Sequence, residues 1–406
     1  MRNKGALATV FLAILIDLMG FGIVLPLLPF YASAFNAPPV AIGLLYSVYS
    51  LCQLIFSPIW GGISDRIGRR PIMLMSTLGA SFAYLLFGLA HSLPLLFLSR
   101  LIAGIMGGNI STAQAYVADV TTAEDRARGM GLVGAAFGIG FVMGPAIGTL
   151  LIHPAFLNLF RITIDNEFAL PGFFAALLSL GSFVFIFFKL PESVEKGHVV
   201  HHSFLKRSIF SKGFWSFISG TSHTFPWLVG CMFLLSFAQA SLYSSFPLFC
   251  KYQLSLSAER VGMLFVYMGV IAILIQGGLT KTLAKRYGEQ KLFYVGSIAM
   301  ALGLVSIPFA LRESVLLVAL TVMTVGASLM GPALNSLISK EADPHQVGAT
   351  MGASQGMASL GRVLGPTWGG FLYDMQFKIP FLLTAFCFSF AISVAARLNR
   401  KVALKP

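Results

Sequence analysis

The chain has 406 residues, of which 56% are hydrophobic and only 11% charged, with a formal net charge of +13 and a mean hydropathy of +0.82. An ordinary soluble domain is about 25% charged, so this chain cannot cover itself with polar surface, and a soluble globular fold is excluded. Nor does the positive charge point to nucleic acid, because the basic residues are divided by membrane side and not clustered against a polyanion.

A run of about 20 apolar residues crosses a bilayer, and such runs follow one another from end to end. Spans are predicted near residues 7–30, 41–61, 72–90, 94–118, 130–152 and 171–189, and again near 226–249, 260–280, 291–309, 315–338, 348–372 and 379–396. Continuous apolar runs without period-2 alternation imply helices and not a closed barrel. The first run, Leu7 to Tyr31, is longer than a signal-peptide core and contains Asp17, so it reads as span 1. Residues 1–190 and 226–406 form two six-helix bundles, joined by a linker over 191–225 that carries Glu192, Glu195, Lys196, Lys206, Arg207 and Lys212.

Most basic residues, among them Arg2, Lys4, Arg66, Arg69, Arg70, Arg126, Arg128, Lys281, Lys285, Arg286, Lys340, Arg397 and Arg400, fall on alternate connections and on the two termini. The opposite connections hold only Arg161, Lys251, Arg312 and Lys378. The positive-inside rule therefore puts both termini in the cytoplasm of a multi-pass plasma (inner) membrane protein. Cys52, Cys231, Cys250 and Cys387 have no metal or redox spacing and read as packing residues.

The chain repeats itself. At an offset of 221 residues, Gly131 falls on Gly352, Gly140 on Gly361, Gly144-Pro145 on Gly365-Pro366 and Gly148 on Gly369. Gly61-Gly62-Ile63-Ser64 similarly matches Gly277-Gly278-Leu279-Thr280, and Arg66-Ile67-Gly68 matches Arg286-Tyr287-Gly288 after a short insertion. Two homologous bundles are the simplest cause, and bundles repeated in this way flank a midplane cavity that opens alternately to each side.

The run Gly61-Gly62-Ile63-Ser64-Asp65-Arg66-Ile67-Gly68-Arg69-Arg70-Pro71 resembles the loop between spans 2 and 3 of the major facilitator superfamily. Arg100, followed by Gly104, Gly107 and Gly108, resembles a second motif of that family in span 4, and Gly140 to Gly148 in span 5 resembles its antiporter motif. Within the superfamily, Gly61 to Leu150, with Tyr116-Val117-Ala118-Asp119 and Asp125-Arg126-Ala127-Arg128, is most similar to tetracycline efflux proteins of the twelve-span drug:proton antiporter group. The antiporter motif of that group ends in two glycines. Here Thr149 follows Gly148, while the repeat keeps Gly369-Gly370.

The resemblance implies an all-α polytopic membrane protein of the major facilitator fold, with twelve helices in two pseudo-symmetric bundles. It further implies a latch between the bundles on the loop of Gly61, Asp65, Arg66, Gly68, Arg69 and Arg70, with Asp65 meeting span 11 and Arg69 meeting Asp119. The plainer alternative is that these arginines only fix topology. Gly140, Gly144, Pro145 and Gly148 share one helical face at spacing four, which permits close helix approach. That face can serve packing alone or can also move during the transport cycle.

Asp17 is the only acidic residue deep inside a predicted span, where a charge costs about 2.5 kcal/mol or more. A carboxyl group there can take up a proton and return it when water or a cation approaches, or it can anchor one helix to another. Arg100 keeps its charge and serves to bias that carboxylate, to receive an anionic group of the substrate, or to neutralise a neighbour. Gln53, Asn109, Gln114, Gln239, Gln276, Asn335, Gln355 and Arg362 are the remaining polar candidates for a wet cavity, with interhelical hydrogen bonding as the alternative for each.

The function expected is proton-coupled efflux of an amphipathic drug or metabolite by alternating access, from a functional monomer in the lipid bilayer. Its partners are a small-molecule substrate and protons, and it uses the proton gradient in place of any cofactor. Two alternatives are a major facilitator importer or uniporter of a sugar, peptide or organic anion, and a transport-inactive scaffold or sensor. No span carries a metal-ligand or nucleophile–base constellation, so no enzymatic activity is expected.

Overall fold

The computed structural model describes residues 4–121, 125–159, 166–193, 211–341 and 347–403. Arg161 and most of the linker, including Glu195, Lys196, Lys206 and Arg207, lie outside the described residues, as do the side chains of Arg126 and Arg128. Helices run along the described chain in the order α1 (Lys4–Val24), α2 (Leu28–Ala34), α3 (Pro39–Ile67), α4 (Arg69–Gly88), α5 (Leu93–Met106), α6 (Ile110–Val120), α7 (Arg126–Ile152), α8 (Pro154–Leu159) and α9 (Ala169–Lys189). After the linker come α10 (Lys212–Thr221), α11 (Phe225–Gln253), α12 (Ala258–Leu274), α13 (Thr280–Tyr287), α14 (Glu289–Ser306), α15 (Glu313–Lys340), α16 (Val347–Met375) and α17 (Ile379–Ala403).

Eleven described segments are long and apolar enough to cross a membrane. The 29-residue α16 falls outside that group while occupying the eleventh of the predicted spans, because seven glycines and several hydroxyl side chains dilute its hydropathy. Three predicted spans are internally broken. Span 1 ends as α1 and resumes as α2 around Pro26 and Pro29, where proline removes backbone donors. Span 4 is split between α5 and α6 by a 3₁₀ turn over Gly107–Asn109, and span 8 carries a π-helical stretch over Ile275–Leu279 between α12 and α13. Short irregularities of this kind inside long helices often mark functional sites.

The described chain forms two compact units, which follow the sequence halves except for two exchanged segments: residues 38–47 belong to the second unit and residues 257–266 to the first. In the first unit α1 packs on α7 and α9, and α4 on α9 and α5. The second unit repeats this with α11 on α16 and α14 on α17 and α15. Leu7, Val10, Ile14 and Leu18 of α1 form the core of the first unit with Met73, Tyr116, Val117, Val133, Ala136 and Ile186.

The exchanged segments are held at matching places in the repeat. In the second unit the Val40 N–H donates to Asp374 Oδ2 at 3.1 Å, while Ser47 Oγ donates to the Val363 carbonyl and accepts from Thr367 Oγ1 at 2.8 Å. In the first unit His153 Nε2 lies 3.2 Å from Glu259 Oε1. His153 and Asp374 are related by the same offset of 221 that aligns the glycines.

Those glycines form two equivalent seams. A Cβ on Gly144 would lie 2.6 Å from the Gly22 Cα, one on Gly140 would lie 2.6 Å from the Leu18 Cβ, and one on Gly148 would lie 2.7 Å from the Ile23 carbonyl, so α7 meets α1 backbone to backbone. On α16, Gly361, Gly365 and Gly369 meet Phe233, Phe237 and Ser241 of α11 in the same way. Thr149 lies off this seam, with its side chain against Gly262 of α12. At the equivalent position Gly370 abuts Pro39.

Gly144→Leu should therefore force α1 and α7 apart and lower stability by about 1–3 kcal/mol or more, the usual effect of overpacking. Gly131→Leu adds the same side chain where nothing lies within 4 Å of the added Cβ and should be tolerated. Thermal unfolding of the two purified variants in detergent checks this difference, and equal midpoints would contradict it.

Candidate functional site

The polar centre of the first unit is built around the break in span 4. A helix that stops hydrogen-bonding to itself leaves carbonyls to be satisfied from elsewhere, and here three consecutive carbonyls find side-chain donors. Trp60 Nε1 donates to the Ile105 carbonyl at 2.6 Å, Ser76 Oγ to that of Met106, and Gln53 Nε2 to that of Gly107 at 3.0 Å. The turn that follows presents Asn109, whose Nδ2 donates to Asp17 Oδ2 at 2.9 Å.

Asp17 thus sits on α1 next to Leu18, where the glycine seam begins, facing the broken helix. Its second oxygen, Oδ1, is buried with no hydrogen-bond partner among the described residues. Aromatic rings close the neighbourhood: Phe21 stacks on Tyr49 at 5.0 Å and meets Phe141 edge-on at 5.9 Å. Tyr84 brings its hydroxyl against Gly20, where a Cβ would lie 2.7 Å away.

Arg100 is 2% exposed. Its guanidinium lies over the rings of Phe87 at 5.0 Å and Tyr84 at 5.8 Å, a cation–π arrangement, and its Nε reaches Ser99 Oγ at 3.5 Å. Tyr84 therefore stands between the helix of Asp17 and the charge of Arg100. In the sequence Tyr84 carries no signal beyond a phenol in an apolar span.

A second constellation gathers at the loop between α3 and α4. Arg69 is buried, with Nη1 2.5 Å from Asp65 Oδ1 and 2.6 Å from Ser64 Oγ, and with Nε 3.1 Å from Asp119 Oδ2. Arg70 donates to the Phe187 carbonyl at 2.6 Å, whereas Arg66 is exposed. Glu192 is one acid among several in the linker sequence, yet its carboxylate accepts the backbone N–H of Arg69 at 2.8 Å and of Arg70 at 3.2 Å. An anion at those first free donors of α4 is favoured by the helix dipole. Gly68 joins the two helices at φ +107°, with the Glu192 carboxylate where a side chain would begin, so only glycine fits. Gly61 has room for a Cβ, with Ser111 Oγ at 3.7 Å.

The second unit holds a sign-reversed counterpart: Lys340, related to Asp119 by the offset of 221, lies 2.7 Å from Glu289 Oε1. The other polar candidates are dispersed. Gln114, Gln239 and Gln355 are exposed. Gln276 lies in the π-helical stretch and reaches Ser328 Oγ at 3.5 Å. Arg362 donates to Ser359 Oγ at 2.7 Å, and Asn335 Oδ1 is buried with no hydrogen-bond partner among the described residues.

Repeated helical units and membrane-length spans define a multi-pass membrane protein. A family model described as Major Facilitator Superfamily matches residues 10–366, and the chain belongs to that superfamily. It is 29% identical to the class C tetracycline resistance protein of Escherichia coli over 382 residues, covering 90% of this chain and 89% of that protein. It is likewise 29% identical to multidrug resistance protein 2 of Bacillus subtilis, covering 92% and 90%. Among solved structures, the human organic anion transporter MFSD10 superposes with a TM-score of 0.70 at 23% identity, covering 97% of this chain and all of that one.

Arg69→Ala removes the cation from two carboxylates and should destabilise the protein by about 1.5–3 kcal/mol, the range for charged hydrogen bonds. Glu192→Ala should cost about 1 kcal/mol, as a lost helix cap does. Unfolding of each purified variant measures these losses, and an unchanged Arg69→Ala midpoint would contradict the network.

Proposed function

We propose that the chain is a proton-coupled exporter of amphipathic small molecules, with Asp17 as the proton carrier. The observation that carries this reading is the Asp17 carboxylate itself, inside span 1, with one oxygen on Asn109 and the other buried and open to a proton. A carboxyl group is retained at such a depth, against its insertion cost, where it has work to do. The relatives named for tetracycline and multidrug resistance support export as the direction and amphipathic compounds as the substrate class.

In this scheme Arg100, held between aromatic rings, stays charged and sets the field in which Asp17 exchanges its proton. The glycine seam beside Asp17 lets α1 and α7 move as one body. Asp65, through Arg69, is the bundle-latching end of the loop network, and the functional unit is a monomer in the plasma membrane with both termini in the cytoplasm. A second reading, transport of organic anions, draws on the buried cation Arg100 and on the likeness to MFSD10.

Proteoliposomes with an imposed pH gradient test the proposal, with tetracycline and other amphipathic compounds as the screen. Wild-type protein should concentrate one of them against its own gradient, and Asp17→Asn should abolish that accumulation while preserving folding and substrate binding. Undiminished accumulation by Asp17→Asn would remove Asp17 as the carrier.

A further inference from the structure

Asp17 Oδ1 and Asn109 Oδ1 are both buried with no hydrogen-bond partner among the described residues. They belong to two planar groups already joined by one hydrogen bond, Asn109 Nδ2 to Asp17 Oδ2 at 2.9 Å. An ionised carboxylate only accepts hydrogen bonds, so the amide nitrogen is the end that turns towards it, and the amide oxygen is left without a donor. Two stranded acceptors flanking one hydrogen bond have a common remedy. A proton on Asp17 Oδ1 converts that oxygen into a donor whose complement across the pair is the amide carbonyl.

We propose that Asp17 and Asn109 together form the proton-binding unit, a carboxylic acid and a carboxamide that share two hydrogen bonds when the acid is protonated and one when it is ionised. The proposal rests on Asp17 being the carrier. The only bond made or broken is the O–H of the acid, whose proton comes from water on one side of the membrane and leaves to water on the other. Asn109, expected from sequence to line a cavity, becomes a positioning residue.

The turn that carries Asn109 supplies a lever for this pair. Asn109 is the last residue of the 3₁₀ turn, and Gln53 of α3 grips that turn through the Gly107 carbonyl. Gly108 in its middle fits against the backbone of Ser57, where a Cβ would lie 2.9 Å from the Ser57 nitrogen. A shift of α3 is therefore transmitted to the amide, which opens the second hydrogen bond and frees the proton. The titratable neighbours are Tyr49 of α3, Tyr84 of α4 and Arg100 of α5. On α6 they are Tyr116 and Asp119, two or more turns beyond Asn109. Residues 137–148 of α7 carry none, and α9 has only Lys189 at its end.

Infrared difference spectroscopy on the full-length protein in lipid, titrated with pH, tests the pairing. The wild type should give a protonated-carboxyl band that disappears in Asp17→Asn, at the lowered frequency of an acid that donates a strong hydrogen bond. In Asn109→Leu that band should move up to the frequency of an acid without an acceptor. Wild-type protein carrying ¹³C-labelled asparagine gives the same test without a substitution, since an asparagine carbonyl band should shift in step with the acid. A carboxyl band indifferent to Asn109→Leu, with no asparagine carbonyl responding, would overturn the pairing and leave Asp17 as carrier. Absence of any Asp17-dependent band would overturn both.

Discussion

Hydrocarbon offers no hydrogen bonds, so every polar group inside a span must find its partner within the protein or be left unpaired at a cost. The centre of the first unit follows from this constraint. Breaking span 4 at Gly107–Asn109 frees carbonyls that Trp60, Ser76 and Gln53 then satisfy, and the same break turns Asn109 towards Asp17. The helix pays for its irregularity with side-chain donors from α3 and α4. Asp17 Oδ1 and Asn109 Oδ1 stay buried beside the break with no hydrogen-bond partner among the described residues.

The repeat explains why this centre is tightly packed. Glycines at spacing four let α7 meet α1, and α16 meet α11, backbone to backbone. The two copies have diverged around that shared seam. Thr149 fills against Gly262 where its counterpart Gly370 meets Pro39, and the ion pair of Arg69 with Asp119 returns as Glu289 with Lys340, its charges exchanged. Among the described residues, only the first unit places an acid inside a span beside its seam.

Much of this was legible in the sequence because hydropathy, glycine spacing and the loop motif are one-dimensional signals. The spans, the repeat, the seam of Gly140, Gly144 and Gly148, and the singularity of Asp17 all stand out in the chain as written. The spatial partners do not. Asn109 sits 92 residues from Asp17, and nothing in a uniformly apolar window betrays the 3₁₀ turn that brings them together. Glu192 was one acid in a charged linker until the fold set it on the first turn of α4, 123 residues upstream. Gln114 and Gln355 show the opposite limit: a polar residue in a span marks a place for water or a partner but not which face it occupies.

If Asp17 is the proton carrier of an exporter, as proposed, its proton leaves as the substrate's site is occupied. Proton release on substrate addition, followed with a pH indicator in weakly buffered detergent solution, measures this without any gradient. With a compound that the protein transports, wild type should release protons in proportion to the amount bound, and Asp17→Asn should bind the compound and release none. Equal release from both proteins would show that the proton resides elsewhere.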